Sequence, residues 1–210
     1  MSGSCGGELN PGCPRRGTAF SHAFARRTLA LFGWRVEGSL PDEPRFVVIV
    51  APHTSNLDFF ICIFAMFAVG LQLSWLGKHS IFFWPGKYVL HWLGGEPVDR
   101  STPAGIVEAA IERFKQSSQW VFGVSPEGTR RFTTEWKTGF YRIATGAGVP
   151  IVPVALDYHR RALALGAPMW PTGDPEADIS RLRASFHRGM ARRPENFFEP
   201  DSDTQLSHTR

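Results

Sequence analysis

The chain has 210 residues, 43% of them hydrophobic and 20% charged, values that are ordinary for a folded protein with one full core. Its formal net charge of +4 is spread along the chain without a dense basic stripe, so the composition does not favour nucleic-acid binding. The three cysteines have neither a paired framework nor a metal-ligand spacing, which indicates a reducing compartment.

No segment is predicted to span a membrane. Residues 1–20 lack the apolar stretch of a signal peptide. The longest apolar run, Phe59–Leu71, is too short to cross a bilayer as a helix, and we expect it to be buried or to lie against lipid. The sequence therefore predicts a soluble or peripheral protein.

The first predicted elements are a basic amphipathic helix and a buried strand. Phe20–Trp34 has helical spacing, with Arg26 and Arg27 beside its apolar positions, and both membrane docking and core packing explain this pattern. Phe46–Val50 is a continuous run of mainly β-branched residues, as expected for a strand buried on both faces. A helix is predicted over Ser55–Val69.

Strands and helices continue to alternate in the second half of the chain. In order, we expect a strand near Val98, a helix introduced by Thr102 and Pro103, a strand at Trp120–Val124, a helix at Thr138–Ala147, a strand at Ile151–Leu156 and a helix at Pro175–Met190. Pro153 interrupts the last strand, which we therefore place at a sheet edge or a bulge. The alternation predicts an α/β fold with a central, largely parallel or mixed sheet flanked by helices.

The sequence predicts one domain, over residues 20–193. Residues 1–19 are rich in Gly, Pro, Ser and Cys and are expected to be disordered. Residues 194–210 are expected to form a loose tail.

The sharpest local feature is the sequence PHTSNLD at residues 52–58, after the first buried strand, where open α/β sheets place their ligands. On one continuous helix His53 and Asp58 would point about 140° apart. They can meet only if His53 lies in the turn before the helix and Asp58 in its first turn. Asp58 could then orient the imidazole, leaving the other nitrogen free as a general base. Alternatively, Ser55 and Asp58 form a capping box, and Asp58 only starts the helix.

A second polar segment, SPEGTR at residues 125–130, follows another buried strand. Such a loop can present Glu127, Thr129 and Arg130 together, and Gly128 permits a tight turn. The Arg130 guanidinium suits a phosphate or a carboxylate. An ordinary charged loop would have the same composition.

Other kinds of site are not favoured by the sequence. Gly123-Val124-Ser125 resembles the start of a nucleophile elbow, but Pro126 has no N–H for an oxyanion hole. Neither a Walker loop nor a G-x-G-x-x-G motif occurs, and the histidines other than His53 lack zinc-ligand spacing. We therefore expect no metal and no cofactor.

Four sequence blocks resemble, in order, those of the glycerolipid acyltransferase family, which includes bacterial 1-acyl-glycerol-3-phosphate acyltransferases. The blocks are the H-x4-D pattern of His53–Asp58, the Asp-Arg-ending block Gly94–Arg100, the E-G-T-R block Glu127–Arg130 and the block Val149–Val154. The resemblance covers roughly residues 30–160, and it implies a glycerol-3-phosphate acyltransferase-like fold.

The resemblance also implies roles for individual residues. His53 would be the base and Asp58 its partner. The acceptor, especially its phosphate, would be held by Arg100, Glu127, Gly128, Thr129 and Arg130. The family often has Asn where this chain has Pro52, and Phe is usual at Pro97 and Ser125 in members that form phosphatidic acid. These departures bear on the acceptor and leave the base intact.

The expected reaction transfers a fatty acyl group from acyl-CoA or acyl carrier protein to a hydroxyl of a lysophospholipid or related lipid, without a cofactor. An alcohol attacks a thioester at neutral pH only when a base takes its proton. Two alternatives stay open: a lipid-binding or remodelling protein of the same fold whose activity has drifted, and a thioester hydrolase that uses the same His-Asp pair on water.

The membrane surface is the expected partner of such a protein, because both substrates are lipid-like. The predicted docking segments are the Phe20–Trp34 helix and Phe82–Pro85, flanked by Lys78 and Lys87, since each places aromatic residues beside cations. The expected location is cytoplasmic, peripherally associated with the inner or cytoplasmic membrane.

Overall fold

The computed structural model describes residues 11–98 and 103–199, in which strands and helices alternate. The strands are β1 Arg35–Glu37, β2 Arg45–Ala51, β3 Ser74–Lys78, β4 Gly95–Val98, β5 Trp120–Val124, β6 Ile151–Asp157 and β7 Ala162–Leu165. The helices are α1 Ala19–Leu31, α2 Asn56–Val69, α3 Gly86–Trp92, α4 Pro103–Gln116, α5 Gly139–Ala147 and α6 Pro175–Arg183. Short 3-10 turns occupy His79–Ile81, Arg188–Met190 and Pro194–Asn196.

These strands form one seven-stranded sheet in the order β1-β7-β6-β2-β5-β3-β4. Every neighbouring pair is parallel except β6 and β7, which are antiparallel. The predicted α/β class with a largely parallel, mixed sheet is thus confirmed. β2 lies at the centre, between β5 and β6, so the carboxyl ends of these three strands meet at one edge.

Both faces of β2 are covered, which explains its continuous apolar sequence. Val47 and Ile49 pack in the core formed with α4, α5 and α6 on one face of the sheet. Phe46 and Val48 pack in the core formed with α1 and α2 on the other face. Side chains alternate along a strand, so one short segment joins the two hydrophobic layers.

The place of β6 differs from the prediction. β6 lies inside the sheet, between β2 and β7, so the expectation of an edge strand is wrong. The carbonyl of Pro153 accepts the Gly166 N–H at 2.8 Å, just beyond the end of β7. The N–H and C=O of one residue point to the same side of a strand. An N–H at Pro153 would therefore face Gly166, just beyond β7, so the proline removes a donor only at the end of the β6–β7 pairing and leaves the pairing with β2 in register.

Two predicted helices are longer than the observed ones. α1 ends at Leu31 rather than Trp34, and Gly33 follows with a φ of +75°. α6 ends at Arg183 rather than Met190, and residues 184–190 form turns. The α5 helix ends as predicted, at Gly148 in the left-handed conformation that glycine adopts without steric cost.

The structure also differs from the predicted boundaries at both ends of the domain. Cys13, in the segment expected to be disordered, is buried, and Arg15 forms a β-bridge with Leu71. Phe197, in the segment expected to be a loose tail, is buried in the core beside α5 and α6. The packed chain therefore extends beyond residues 20–193 in both directions.

Candidate active site

His53 and Asp58 meet at the carboxyl edge of the sheet. β2 ends at Ala51, His53 lies in the loop that follows, and α2 starts at Asn56. This places the histidine before the helix and Asp58 at its third residue, the arrangement that the five-residue spacing requires. His53 Nδ1 lies 3.5 Å from Asp58 Oδ2, the long end of hydrogen-bonding distance. The Nε2 atom is the other ring nitrogen and is the one available to a substrate.

Asp58 also completes the capping box, so the two interpretations of this residue are compatible. The Ser55 hydroxyl caps α2 by accepting the Leu57 N–H at 3.1 Å. Asp58 Oδ2 in turn accepts the Ser55 N–H at 2.7 Å. Because the cap fixes the carboxylate to the helix start, it also fixes the atom that faces His53. The cap is part of how the site is built.

The Asp58 carboxylate is completely buried, and both of its oxygens accept hydrogen bonds. Oδ2 accepts the Ser55 N–H, while Oδ1 accepts the hydroxyl of Tyr158 at 2.5 Å. The N-terminus of α2 adds the positive end of a helix dipole. These donors stabilise a negative charge that burial alone would make costly.

The environment of His53 favours a neutral imidazole. Burial lowers the pKa of His53 below its ordinary value of 6.5; the carboxylate of Asp58 opposes this shift, and the Arg130 guanidinium adds to it. A neutral ring whose Nδ1 faces a carboxylate carries its proton on that nitrogen and leaves a lone pair on Nε2. His53 is thus poised to accept a proton.

Glu127 reaches this loop from the neighbouring strand. β2 and β5 run parallel with Ile49 opposite Val124, so the chain after β5 emerges beside His53. Glu127 Oε2 accepts the His53 backbone N–H at 2.9 Å. Burial raises the pKa of Glu127 to about 7, with the His53 N–H opposing the shift and Asp58 adding to it. The carboxyl group braces the loop that carries the histidine.

The 125–130 segment turns towards solvent only at its end. Gly128 has a φ of +65°, which confirms the tight turn that its sequence predicts. Thr129 and Arg130 are exposed, and the Thr129 hydroxyl accepts the Arg131 N–H at 3.2 Å. Glu127 therefore points inward while Arg130 remains accessible. Arg100 lies outside the described residues, as does the N-cap predicted at Thr102.

Two residues at the site were not predicted from the sequence. Tyr158 follows β6, the other neighbour of β2, and Arg192 comes from the chain after α6. Arg192 Nη1 donates to the Ser55 hydroxyl at 3.4 Å, and the Arg193 N–H donates to the Thr54 hydroxyl at 3.2 Å. A polar aromatic directly after a third buried strand is the signal that could have pointed to Tyr158.

In the part of the chain that the structure describes, the serine of the elbow-like sequence lacks a base and a metal-binding cluster is absent. The Ser125 hydroxyl is buried and has no hydrogen-bond partner among the described residues, so no base there activates it. Over residues 11–98 and 103–199, no group of three or more His, Cys, Asp or Glu side chains is placed to hold a metal ion.

Comparison with known proteins identifies the family. A family model described as Acyltransferase matches residues 35–157, more than half of the chain. The chain is 31% identical over 160 residues to the 1-acyl-sn-glycerol-3-phosphate acyltransferase of Escherichia coli K12, covering 70% of this chain and 62% of that protein. It is 33% identical over 160 residues to the enzyme of the same name from Salmonella typhimurium, with the same coverage. The chain thus spans about three fifths of the length of these relatives.

A solved structure shares the fold. The crystal structure of the 1-acyl-sn-glycerophosphate acyltransferase of Thermotoga maritima matches with a TM-score of 0.60 and 24% identity. The match covers 81% of this chain and 77% of that one. Because the family model spans β1 to β6 and includes both the H-x4-D and the E-G-T-R blocks, the chain belongs to the acyltransferase family.

Proposed function

We propose that this protein transfers a fatty acyl group from acyl-CoA or acyl carrier protein to the hydroxyl of a lysophospholipid, with 1-acyl-glycerol-3-phosphate as the foremost candidate acceptor. The observation that carries the proposal is the position of His53 Nδ1, 3.5 Å from a buried carboxylate, with Nε2 left for the acceptor. The names of the relatives from Escherichia coli and Salmonella typhimurium support the choice of acceptor.

In the proposed reaction His53 Nε2 takes the proton of the acceptor hydroxyl while the oxygen attacks the thioester carbonyl carbon. The resulting tetrahedral intermediate collapses, the carbon–sulfur bond breaks, and the imidazolium returns its proton to the departing thiolate. An ester and a free thiol are the products. Asp58 stabilises the imidazolium without itself becoming protonated, and no covalent acyl-enzyme forms.

Hydrolysis by the same pair is the nearest competing function. Transfer prevails over hydrolysis when the site excludes water and presents an apolar surface to lipid. Leu57, directly before Asp58, is an exposed apolar residue, and so is Phe60 on the next turn of α2. Exposed apolar side chains on the first turns of the helix that carries Asp58 suit a lipid acceptor, which favours transfer.

The direct test is to incubate the purified protein with labelled acyl-CoA or acyl carrier protein and a panel of lysolipids, and to identify the products by mass spectrometry. Formation of a diacyl product from one acceptor would support transfer. Release of free fatty acid without a diacyl product would indicate the hydrolase. Absence of both, with lipid bound, would indicate a binding protein.

The guanidinium of Arg130 is proposed to bind the acceptor phosphate. Arg130→Ala should raise the KM for the acceptor by about 10- to 100-fold with a smaller effect on kcat, since a charge-assisted hydrogen bond is lost. Arg130→Lys should rescue poorly because Lys lacks the bidentate fork. Arg100→Ala should act in the same way.

Arg131→Ala is the matched control, since Arg131 is an exposed neighbour of the same charge. Equal KM values for the Arg130 and Arg131 variants would contradict the phosphate assignment while leaving His53 as the base.

A peripheral position on the membrane is the second part of the proposal. Phe83 and Trp84 are 68% and 74% exposed, and they follow β3 at the edge of the sheet that carries His53. Phe82 instead packs against Trp75 and His91, so it does not belong to the exposed surface.

The α1 helix adds to this surface. Its Phe20, Phe24 and Leu31 side chains are exposed, so these three positions do not pack in the core. Phe24 contacts Phe64 of α2, with ring centroids 6.5 Å apart. Exposed aromatic side chains thus lie on α1 (Phe20, Phe24), before α3 (Phe83, Trp84) and at the end of α3 (Trp92), and rings of α2 contact those of both α1 and α3. Exposed aromatic and apolar side chains of this kind suit a lipid interface.

Among the helices of the described residues, none combines the length and the apolarity needed to cross a membrane.

The double variant Phe83→Ser/Trp84→Ser should bind anionic vesicles more weakly and lose more activity on membrane-embedded acceptors than on short-chain soluble ones. Both side chains are exposed, so its melting temperature should stay close to that of the wild type. Trp170→Ser is the control, because Trp170 is also exposed but lies beside Met169, which pairs with Ile151 at the opposite end of β6. Vesicle binding equal to wild type by the folded double variant would contradict docking through this segment.

A further inference from the structure

Tyr158 lies just beyond the residues that the family model matches, and its hydroxyl contacts the active site. Tyr158 Oη donates to Asp58 Oδ1 at 2.5 Å, and the matched family model ends one residue earlier, at Asp157. The tyrosine follows β6 directly and is held at both ends. Its N–H donates to the Met190 carbonyl at 2.9 Å, and its ring packs edge-on against Trp34 with centroids 4.9 Å apart.

With this contact, the two oxygens of the Asp58 carboxylate have different partners. Oδ1 is occupied by the Tyr158 hydroxyl, while Oδ2 faces Ser55 and His53. A carboxylate held at one oxygen cannot rotate away from the imidazole without breaking a charge-assisted hydrogen bond. Burial raises the pKa of Tyr158 well above its ordinary value, and the bond to Asp58 adds to the shift. The phenol therefore remains a donor throughout the working pH range.

We infer that Tyr158 is a positioning residue of the active site, whose hydroxyl holds the Asp58 carboxylate in the orientation that supports His53. This inference rests on the proposed acyl transfer and adds a residue to its machinery. Arg192 supports this arrangement, because its guanidinium interacts with the Tyr158 hydroxyl and donates a hydrogen bond to the Ser55 hydroxyl. The chain beyond the matched family region thus completes the site.

Charged and titratable groups from several elements surround His53 and Asp58. Cys62 of α2 and Glu127 of the loop after β5 interact with Asp58, and Arg130 acts on His53. Arg192 acts on the pair through Tyr158. Replacing Tyr158 by Phe leaves all of these groups in place and removes one donor only.

The sign of the effect follows from the charge of the pair. The active state, with Asp58 ionised and His53 neutral, has a net charge of −1, and adding a proton brings it to zero. Removing a donor to the carboxylate destabilises the anionic state more than the protonated one. The apparent pKa of the pair should therefore rise, and the acid limb of the kcat/KM profile should move to higher pH.

The test compares Tyr158→Phe with Tyr141→Phe. Tyr141 makes the same kind of bond, to Asp178 Oδ2 at 2.8 Å, between α5 and α6. Tyr158→Phe should lower kcat about tenfold with little change in acceptor KM, as expected when a hydrogen bond to a charged group is lost. Its acid limb should shift upward. Tyr141→Phe should lower the melting temperature only.

A titration of the histidine ring by NMR provides a readout without substrate, with the His53 signal assigned from its absence in His53→Ala. The inference predicts a higher apparent pKa for this signal in Tyr158→Phe than in the wild type or Tyr141→Phe. Unchanged titration together with an unchanged pH profile would overturn it, even if melting is lower. Full activity of His53→Ala would overturn the proposed base instead, and the titration would still decide the role of Tyr158.

Discussion

His53→Ala should lower kcat/KM for acyl transfer by about 10²–10⁴-fold, the usual cost of removing a general base. Without the imidazole, the acceptor hydroxyl loses the base that is proposed to take its proton. The substitution should leave the fold intact, because the Glu127 bond is made to the His53 backbone N–H rather than to the ring. Initial rates and thermal melting of the same preparation check both statements.

His187→Ala is the matched control, since it removes an exposed imidazole that directly precedes the 3-10 turn Arg188–Met190. It should leave the rate unchanged. If His53→Ala retained more than about a tenth of wild-type activity, His53 would not be the base.

The elements that the sequence predicts well are those whose signal is local. β2 and β5 are continuous apolar runs buried on both faces, and α2 follows an N-cap serine that forms a capping box with Asp58. The meeting of His53 and Asp58 also follows from local geometry, because a five-residue spacing brings the two side chains together only across a helix start.

The parts that the sequence does not predict depend on contacts between distant segments. The strands β1 and β7 and the short helix α3 have three to seven residues each, too few for a periodic pattern. The interior position of β6 depends on the order of the strands in the sheet, which a single proline in the sequence does not predict. Pro153 fits there because β7 ends beside it.

The same limit applies to the site. Tyr158 reaches Asp58 across 100 residues of sequence, and Arg192 reaches Ser55 across 137. Glu127 is predicted to help hold the acceptor, and the sequence does not show that its buried carboxylate also accepts the backbone N–H of His53. Residue type and spacing place a side chain at an edge of the sheet, whereas its direction depends on neighbours that the pattern does not show.

Asp58→Asn should separate the two roles that this residue combines. The amide keeps the shape of the side chain, its oxygen can accept the Ser55 N–H, and its NH2 can donate to the Tyr158 hydroxyl. The helix cap is then preserved, and the loss of folding free energy should be about 1 kcal/mol or less. The amide has no negative charge to stabilise the imidazolium, so kcat should fall on the order of 10²–10⁴-fold.

Asp178→Asn is the control for Asp58→Asn, because Asp178 is equally buried and also accepts a tyrosine hydroxyl and a backbone N–H, from Tyr141 and Thr172. It anchors α6 and lies outside the proposed machinery, so its loss should lower the melting temperature and leave turnover per folded molecule unchanged. The two variants should therefore show opposite patterns: Asp58→Asn inactive and nearly as stable as wild type, Asp178→Asn active and less stable. If Asp58→Asn instead matched the control, with lower stability and normal turnover, the carboxylate would serve only to start α2, and the base would have to act without an orienting partner.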